Sequence, residues 1–480
     1  MKAFIATTAL VLASLIPQLA SASFILKNIP LNHPANGDVE RFDQFLAVSG
    51  HATNERWLSL IDLHDFSSNA ITLPDNAQFF SRLVTSEGDA LVILTDKDIR
   101  RYDRANNRFV SLLETPSLYT LTDQTRIRQL NFVVNLNEQQ SVFVVPDFHH
   151  VHVYAPAAEG FKHSKLKLPV QVQTFEETPR FHPRRVWPVD FNQDGKTDLV
   201  FLRDGRLQVF LQQAEGAFAT TPENIKPAMH LSLDQESRIR GGEGRNFAGL
   251  EINHLHDIMD LDGDGIPDIV IRREEFHDAI EVNTSYRIHY GKKGESTLQY
   301  NADADAVIST KGMQFEPVFA DINGDGRKDF YTPGAQFGVG SVIRALLSGN
   351  ATIEMQFYLM DENRNFNSKP DHTHKATAQV SISRASLDMP LFGAGSLDGD
   401  PHKNLIIGEG KDRLHVIPSG KRRLFETQGT RYATALPNDG SRVKIMDING
   451  DGLDDIILPF DNHDSEETRN RVHLLIMQPR

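Results

Sequence analysis

Four short stretches place acidic or amide side chains at every second position: "VDFNQDGKTD" from Val189, "MDLDGDGIPD" from Met259, "ADINGDGRKD" from Ala320 and "MDINGDGLDD" from Met446. Each reads Asp-x-(Asp/Asn)-x-Asp-Gly-x-x-Asp. In an extended or tightly looped backbone alternate side chains point the same way. Asp190, Asn192, Asp194 and Asp198 therefore converge on one point, as do Asp260, Asp262, Asp264 and Asp268. The same holds for Asp321, Asn323, Asp325 and Asp329, and for Asp447, Asn449, Asp451 and Asp455. Clustered carboxylates repel one another. A hard cation that takes six to eight oxygens at ~2.3–2.6 Å removes the repulsion, which describes calcium better than magnesium.

The seventh position of each ladder would add a backbone carbonyl. Its side chain is then free to vary, and Lys196, Ile266, Arg327 and Leu453 stand there. Gly195, Gly265, Gly326 and Gly452 follow the third ligand, where a left-handed turn is expected that only glycine adopts without strain. The second ladder carries four carboxylates and the others three, so repulsion without a cation is strongest around Asp264. An EF-hand begins the same way but needs a glutamate at its twelfth position and helices on both sides. Here the twelfth residue is Phe201, Ile271, Thr332 or Leu458, and each loop instead closes at its ninth residue. That aspartate leads straight into "DLVFL", "DIVIR", "DFYT" or "DIILP", short runs of buried-strand character. One calcium per full loop, about four in all, is the expectation.

The first aspartates fall at 190, 260, 321 and 447, and the last interval is about twice the others. A degraded copy fills the gap: "SLDGDPHKN" from Ser396, with Ser396, Asp398, Asp400 and Asn404 on the ladder positions and Pro401 where glycine is expected. The period is then roughly 50 to 75 residues, the mark of a repeat architecture. These loops resemble the calcium-binding FG-GAP or VCBS repeats of integrin-α-like proteins. That resemblance implies a β-propeller whose blades each carry one such loop between their first two strands; its motifs cover roughly residues 183–480.

After each loop come a strand, a turn and a second strand, most plainly in "DLVFLRDGRLQVFLQQAEGAF" from Asp198. The same cadence without a ladder starts at Phe45, Asp89 and Ser141. That gives units near 45, 89, 141, 198, 268, 329, 404 and 455. The expected fold is all-β: an eight-bladed propeller, or a seven-bladed one if the Phe45 unit is peripheral. The last unit stops one strand short after "RVHLLIMQPR", and the segment "SFILKNIPL" from Ser23 supplies a strand to complete it and hide a sheet edge.

The chain opens with Lys2, an apolar run from Ala3 to Ile16 and the small residues Ala20-Ser21-Ala22. This reads as a secretory signal peptide over residues 1–22, leaving residues 23–480 as a single propeller in the periplasm or outside the cell. The run is shorter than the ~20 residues a membrane span needs. With no cysteine, an exported chain has no disulfides to hold it, which again points to metal. A formal net charge of −14 argues against nucleic-acid binding.

In such a blade the ladders join the first strand to the second, so the longer connections lie on the opposite face, where ligands are expected. "RREEFHDAIEVN" from Arg272, "TPGAQFGVGSV" from Thr332 and "FDNHDSEETRN" from Phe460 are candidates, with "ESRIRGGEGRNFAGLEIN" from Glu236 and "SKPDHTHKATAQ" from Ser368 preceding the next unit. Arg238, Arg240, Arg245, Arg272, Arg273 and His277 are the polar candidates there. His150 with His152, and His372 with His374, are possible transition-metal pairs, though each lacks the third and fourth ligands of a stable site. No nucleophile elbow, phosphate loop or zinc-protease helix is present. The sequence therefore favours a non-catalytic exported scaffold for a glycan, an envelope component or a protein. The alternatives are a polysaccharide lyase using His254 or His277 as base, or a subunit of an envelope complex.

Overall fold

The computed structural model describes residues 23–479 except 53–54, 122–126, 131, 138–139, 176–177, 235–247, 278–281, 296, 311–312, 316, 336–338, 382–385 and 421–422. The expected signal peptide, residues 1–22, and Arg238, Arg240 and Arg245 lie outside the described residues.

Eight antiparallel sheets follow one another along the chain, each laid out mainly in chain order, and they form the eight blades of a propeller. We letter the strands of a blade A to D. The eight B strands are Phe45–Ala52, Gly88–Thr95, Gln140–Pro146, Asp198–Arg203, Asp268–Phe276, Asp329–Ala335, Asn404–Glu409 and Asp455–Pro459. They begin at or next to the unit starts read from the sequence, and the Phe45 unit is a full blade, which removes the seven-bladed alternative. The A strands of neighbouring blades touch one another in blades 1 and 2, 3 and 4, 4 and 5, and 7 and 8, so they gather at the hub.

The apolar cores lie between blades, and the period of two residues in a strand explains why. In blade 4 Leu199 and Phe201 pack against blade 3, while Val200 between them packs against blade 5. A strand buried on both faces reads as a continuous apolar run rather than an alternating one. The ring closes in the same manner: Ile448, Ile457, Val472 and Leu474 of blade 8 pack with Val39, Leu46, Val48 and Ile61 of blade 1.

Strand D of blade 8 comes from the other end of the chain. Phe24–Pro30 pairs antiparallel with Arg471–Met477 in an unbroken register from Phe24 opposite Met477 to Pro30 opposite Arg471. This is the closure expected from the sequence, and it covers the C strand's free edge.

Two expected loops are regular structure. The segment from Thr332 runs on as strand to Ala335 and then forms the helix Val339–Ser348 before strand C. The segment from Ser368 becomes strand D of blade 6, His372–Ser381, whose exposure alternates residue by residue over its first seven positions. Among the described residues no helix is long and apolar enough to cross a membrane.

Candidate metal centres in the A–B loops

The four ladders fold alike. In each, the first aspartate accepts the backbone N–H of the sixth residue: Gly195 to Asp190 at 2.8 Å, and Gly265 to Asp260, Gly326 to Asp321 and Gly452 to Asp447, each at 2.9 Å. The fifth aspartate accepts the N–H of the seventh residue, with Lys196, Ile266, Arg327 and Leu453 donating at 2.8–2.9 Å. The sixth glycines have φ between 79° and 85°, the left-handed turn read from the sequence. The fourth position is left-handed too, at Gln193, Gly263, Gly324 and Gly450. Glycine in three of those four copies is the sequence signal of that second left-handed turn.

The ninth aspartate is the structural centre of each loop. Asp198, Asp268, Asp329 and Asp455 are essentially inaccessible to solvent. One carboxylate oxygen accepts the N–H of the loop's second residue: Phe191 at 3.1 Å, Leu261 at 2.9 Å, Ile322 at 3.0 Å and Ile448 at 3.1 Å. The other accepts an N–H at or just beyond the end of strand C of the same blade: Gln212 at 2.8 Å, Gly291 at 2.9 Å, Met360 at 2.9 Å and Met477 at 2.7 Å. The aspartate thus staples the loop to a strand that lies far along the chain, which a local motif cannot reveal. Burial raises all four acids, Asp268 to about 7 and Asp198, Asp329 and Asp455 to about 6, because a charged carboxylate there loses its water.

In blade 5 the ligand oxygens of Asp260, Asp262 and Asp268 all lie within 4.8 Å of one another. The other three ladders have asparagine at the third position, so an amide replaces one carboxylate. Several loops also hold a protein cation: Lys196 Nζ lies 3.2 Å from Asp194, and Arg327 pairs with Asp325. In blade 5 the cation crosses between blades, with Arg364 of blade 6 donating to Asp262 at 2.7 Å. A dense set of hard oxygen donors, offset by borrowed cations, is chemically suited to a divalent hard cation.

The degraded loop of blade 7 keeps the frame but loses the first and ninth carboxylates, which are Ser396 and Asn404 here. Asn404 Oδ1 accepts the N–H of Leu397 at 2.9 Å, as the ninth aspartate does elsewhere. Pro401 occupies the sixth position, and Asp400 is taken up by His402 at 2.6 Å. The loops also hold one another. The eighth residue's N–H reaches back to the preceding loop, Lys328 to Leu261 O at 2.7 Å, Lys403 to Ile322 O at 2.8 Å and Asp454 to Ser396 O at 2.7 Å.

A cavity of about 610 Å³ is lined by Tyr119, Phe132, Pro146, Arg185, Trp187 and Asp257, among others. The Arg185 guanidinium sits 5.1 Å from the Trp187 ring and pairs with Asp257 at 2.9 Å. Of the polar candidates read from the sequence, Arg272 and His254 meet on one buried carboxylate, Glu274, at 2.8 and 3.3 Å. Arg273 bridges Glu251 and Glu275, and His277 Nε2 lies 2.8 Å from the Asn283 amide. These groups do not gather into one site with a free base.

Residues 260–332 match the FG-GAP-like repeat family. No curated protein matches the chain in sequence. Among solved structures it is similar to the WD40 domain of SCAP from fission yeast, at 10% identity over 95% of this chain and 94% of that one, with a TM-score of 0.40. The WD40 domain of Toxoplasma gondii coronin gives 10% identity, 95% and 87% coverage and a TM-score of 0.37. An Agrocybe aegerita lectin that recognises non-reducing terminal N-acetylglucosamine gives 11%, 81% and 85%, and 0.37. Likenesses this remote carry no argument, and the blade count rests on the strand pairing. The chain is an eight-bladed β-propeller that carries an FG-GAP-like repeat at residues 260–332.

Proposed function

We propose that the protein is an exported, calcium-stabilised binding scaffold that holds a ligand, a glycan or an envelope component, on the face away from its ladders. The observation that carries the calcium reading is the shared geometry of the four loops: a ninth aspartate stapled to strand C, and first and fifth aspartates ordered by the same backbone donors. Each loop takes one calcium through its first, third, fifth and ninth side chains and the carbonyl of its seventh residue: Lys196, Ile266, Arg327 or Leu453. The N-terminal segment read as a signal peptide supports export to the periplasm or beyond the cell, where millimolar calcium suits exposed loops of this kind. Calorimetric titration of the mature chain with calcium should return about four sites. A flat titration would sink the reading.

The binding reading is preferred to the lyase because the candidate bases are engaged, His254 with Glu274 and His277 with Asn283. The aromatic cavity around Trp187, with Arg185 and Asp257 at its wall, suits a sugar ring with polar substituents. A glycan array probed with the mature chain and with Arg185→Ala tests this. A retained glycan whose signal falls in the variant supports it; no retained glycan points to a protein component of the envelope instead.

A further inference from the structure

The blades without ladders carry a different ligand chemistry. The B–C turn of blade 3 reads "PDFHHVHVY" from Pro146, and strand D returns His163 to it. His152 stands on strand C, Val151–Pro156, and is 3% exposed. Its Nδ1 lies 2.9 Å from His163 Nε2, and the two rings are stacked with centroids 5.1 Å apart. The Tyr154 ring stacks on His163 in turn at 4.5 Å, and its hydroxyl is held by Thr115 at 3.0 Å. His152 Nε2 is buried and has no hydrogen-bond partner. It faces Asp147 Oδ2 at 3.6 Å, across the turn that Asp147 N–H closes on His150 O at 2.8 Å.

Two neutral imidazoles in contact share one proton. Burial holds both His152 and His163 below the usual histidine range, and Lys165 beside them opposes protonation further. If His163 donates, His152 carries its proton on Nε2 and aims it at a carboxylate 3.6 Å away, too far for a hydrogen bond. If His152 donates through Nδ1, its Nε2 presents a bare lone pair to a carboxylate. That arrangement is repulsive until a cation enters. Ligand bonds of ~2.0–2.2 Å in a tetrahedral zinc site put neighbouring donor atoms roughly 3.3–3.5 Å apart, close to the 3.6 Å found here. A ligating histidine ordinarily donates its other ring N–H to an acceptor that fixes its tautomer, and His163 Nε2, 2.9 Å from His152 Nδ1, is placed to accept it here. Asp147 is 24% exposed, which leaves an entry path from solvent.

We propose that His152 Nε2 and Asp147 form a zinc-class transition-metal site on blade 3, oriented by His163 and completed by His150 and water. His150 is two residues from His152, with ring centroids 6.5 Å apart, and reaches the metal by a rotamer change. The site differs from the ladders in donor type, blade and face, and does not depend on their calcium.

The test is calorimetric titration of zinc into the mature chain with its ladders saturated by calcium, with cobalt absorption as a reading of tetrahedral nitrogen and oxygen coordination. One zinc per chain is expected. Asp147→Asn, a near-isosteric change at the turn, should weaken it at least tenfold with the melting temperature in calcium unchanged. His163→Gln should weaken it roughly 10- to 100-fold, the usual consequence of losing an outer-shell partner. His374→Ala, on strand D of blade 6, should leave it unchanged. Absence of zinc binding below millimolar concentration, or equal affinity in the wild type and Asp147→Asn, overturns the proposal.

Discussion

Blades 1 and 2 build the same four-stranded unit as blades 4 to 8 but close their A–B connections without a ladder. In blade 2, Thr85 Oγ1 donates to Gly88 O at 2.7 Å and Gly88 takes φ of 107°, a tight protein-only turn. The acids nearby cap one another's backbone: Asp43 N–H donates to Asp89 at 3.1 Å and Asp89 N–H to Asp43 at 3.0 Å, with Arg82 3.2 Å from Asp89. In blades 4, 5, 6 and 8 a nine-residue loop brings several carboxylates to one point instead. The apolar seams between blades are of one kind all round the ring. A propeller blade therefore does not need the ladder. On the proposed reading the ladder is what would make one half of the ring answer to calcium, and backbone hydrogen bonds join the loops of blades 5, 6, 7 and 8.

The largest effect should come from removing calcium. Sites with dissociation constants near ~0.1 mM each add about 1.4 kcal/mol at 1 mM calcium, so four contribute on the order of 5–6 kcal/mol. That is comparable with the net stability of a typical domain, ~5–15 kcal/mol. Chelation should lower the melting temperature markedly, and hydrogen exchange should speed up in the A–B loops of blades 4, 5, 6 and 8 while blades 1 to 3 keep their protection. Uniform loss around the ring would break the comparison. Without calcium, the ninth aspartates titrate near 6 to 7 when folded and near 4 when unfolded. The folded form then binds more protons between those values, so stability should fall as pH rises from about 4 to 7 in chelator. Calcium, which binds the ionised form, should remove that fall. Melting curves across pH with and without chelator read both.

Next in size is the staple itself. Asp268→Ala strands the N–H groups of Leu261 and Gly291 and should cost roughly 2–4 kcal/mol even in chelator. A change confined to the calcium-loaded protein would mean that Asp268 is a ligand alone. Asp264→Ala removes a carboxylate from the most acidic ladder and should lose about 1.4 kcal/mol, one site's share, in calcium and little without it. Smallest of all, Asp398→Ala in the degraded loop should change the melting temperature almost not at all in either condition. A calcium-dependent loss there would extend the responsive half to blade 7.

Much of this was legible locally. The ladders, their glycine turns, the degraded copy at Ser396 and the eight B strands depend on residues within about ten positions of one another. Side-chain alternation and glycine's freedom at positive φ act over that range. The missing final strand was legible as well, because a free sheet edge demands a partner and Phe24–Pro30 was the segment left to provide it. The segments that local pattern does not resolve are short and mixed: "TPGAQFGVGSV" holds both strand and helix, and "HTHKATAQ" combines turn-like polar residues with a strand that is paired on both sides.

What the amino-acid order determined alone is therefore the repeat, its acidic loops and the starts of the units, while the structure settled eight blades over seven. Tertiary structure decided which distant groups complete each site. Gly291, Met360 and Met477 hold ninth aspartates from 22 to 31 positions away, Arg364 reaches Asp262 across 102, and His163 meets His152 through a pairing of strands. Such contacts follow from how strands register and blades stack. No local spacing encodes that register, because burial of both faces of each blade is satisfied only once its neighbours are in place.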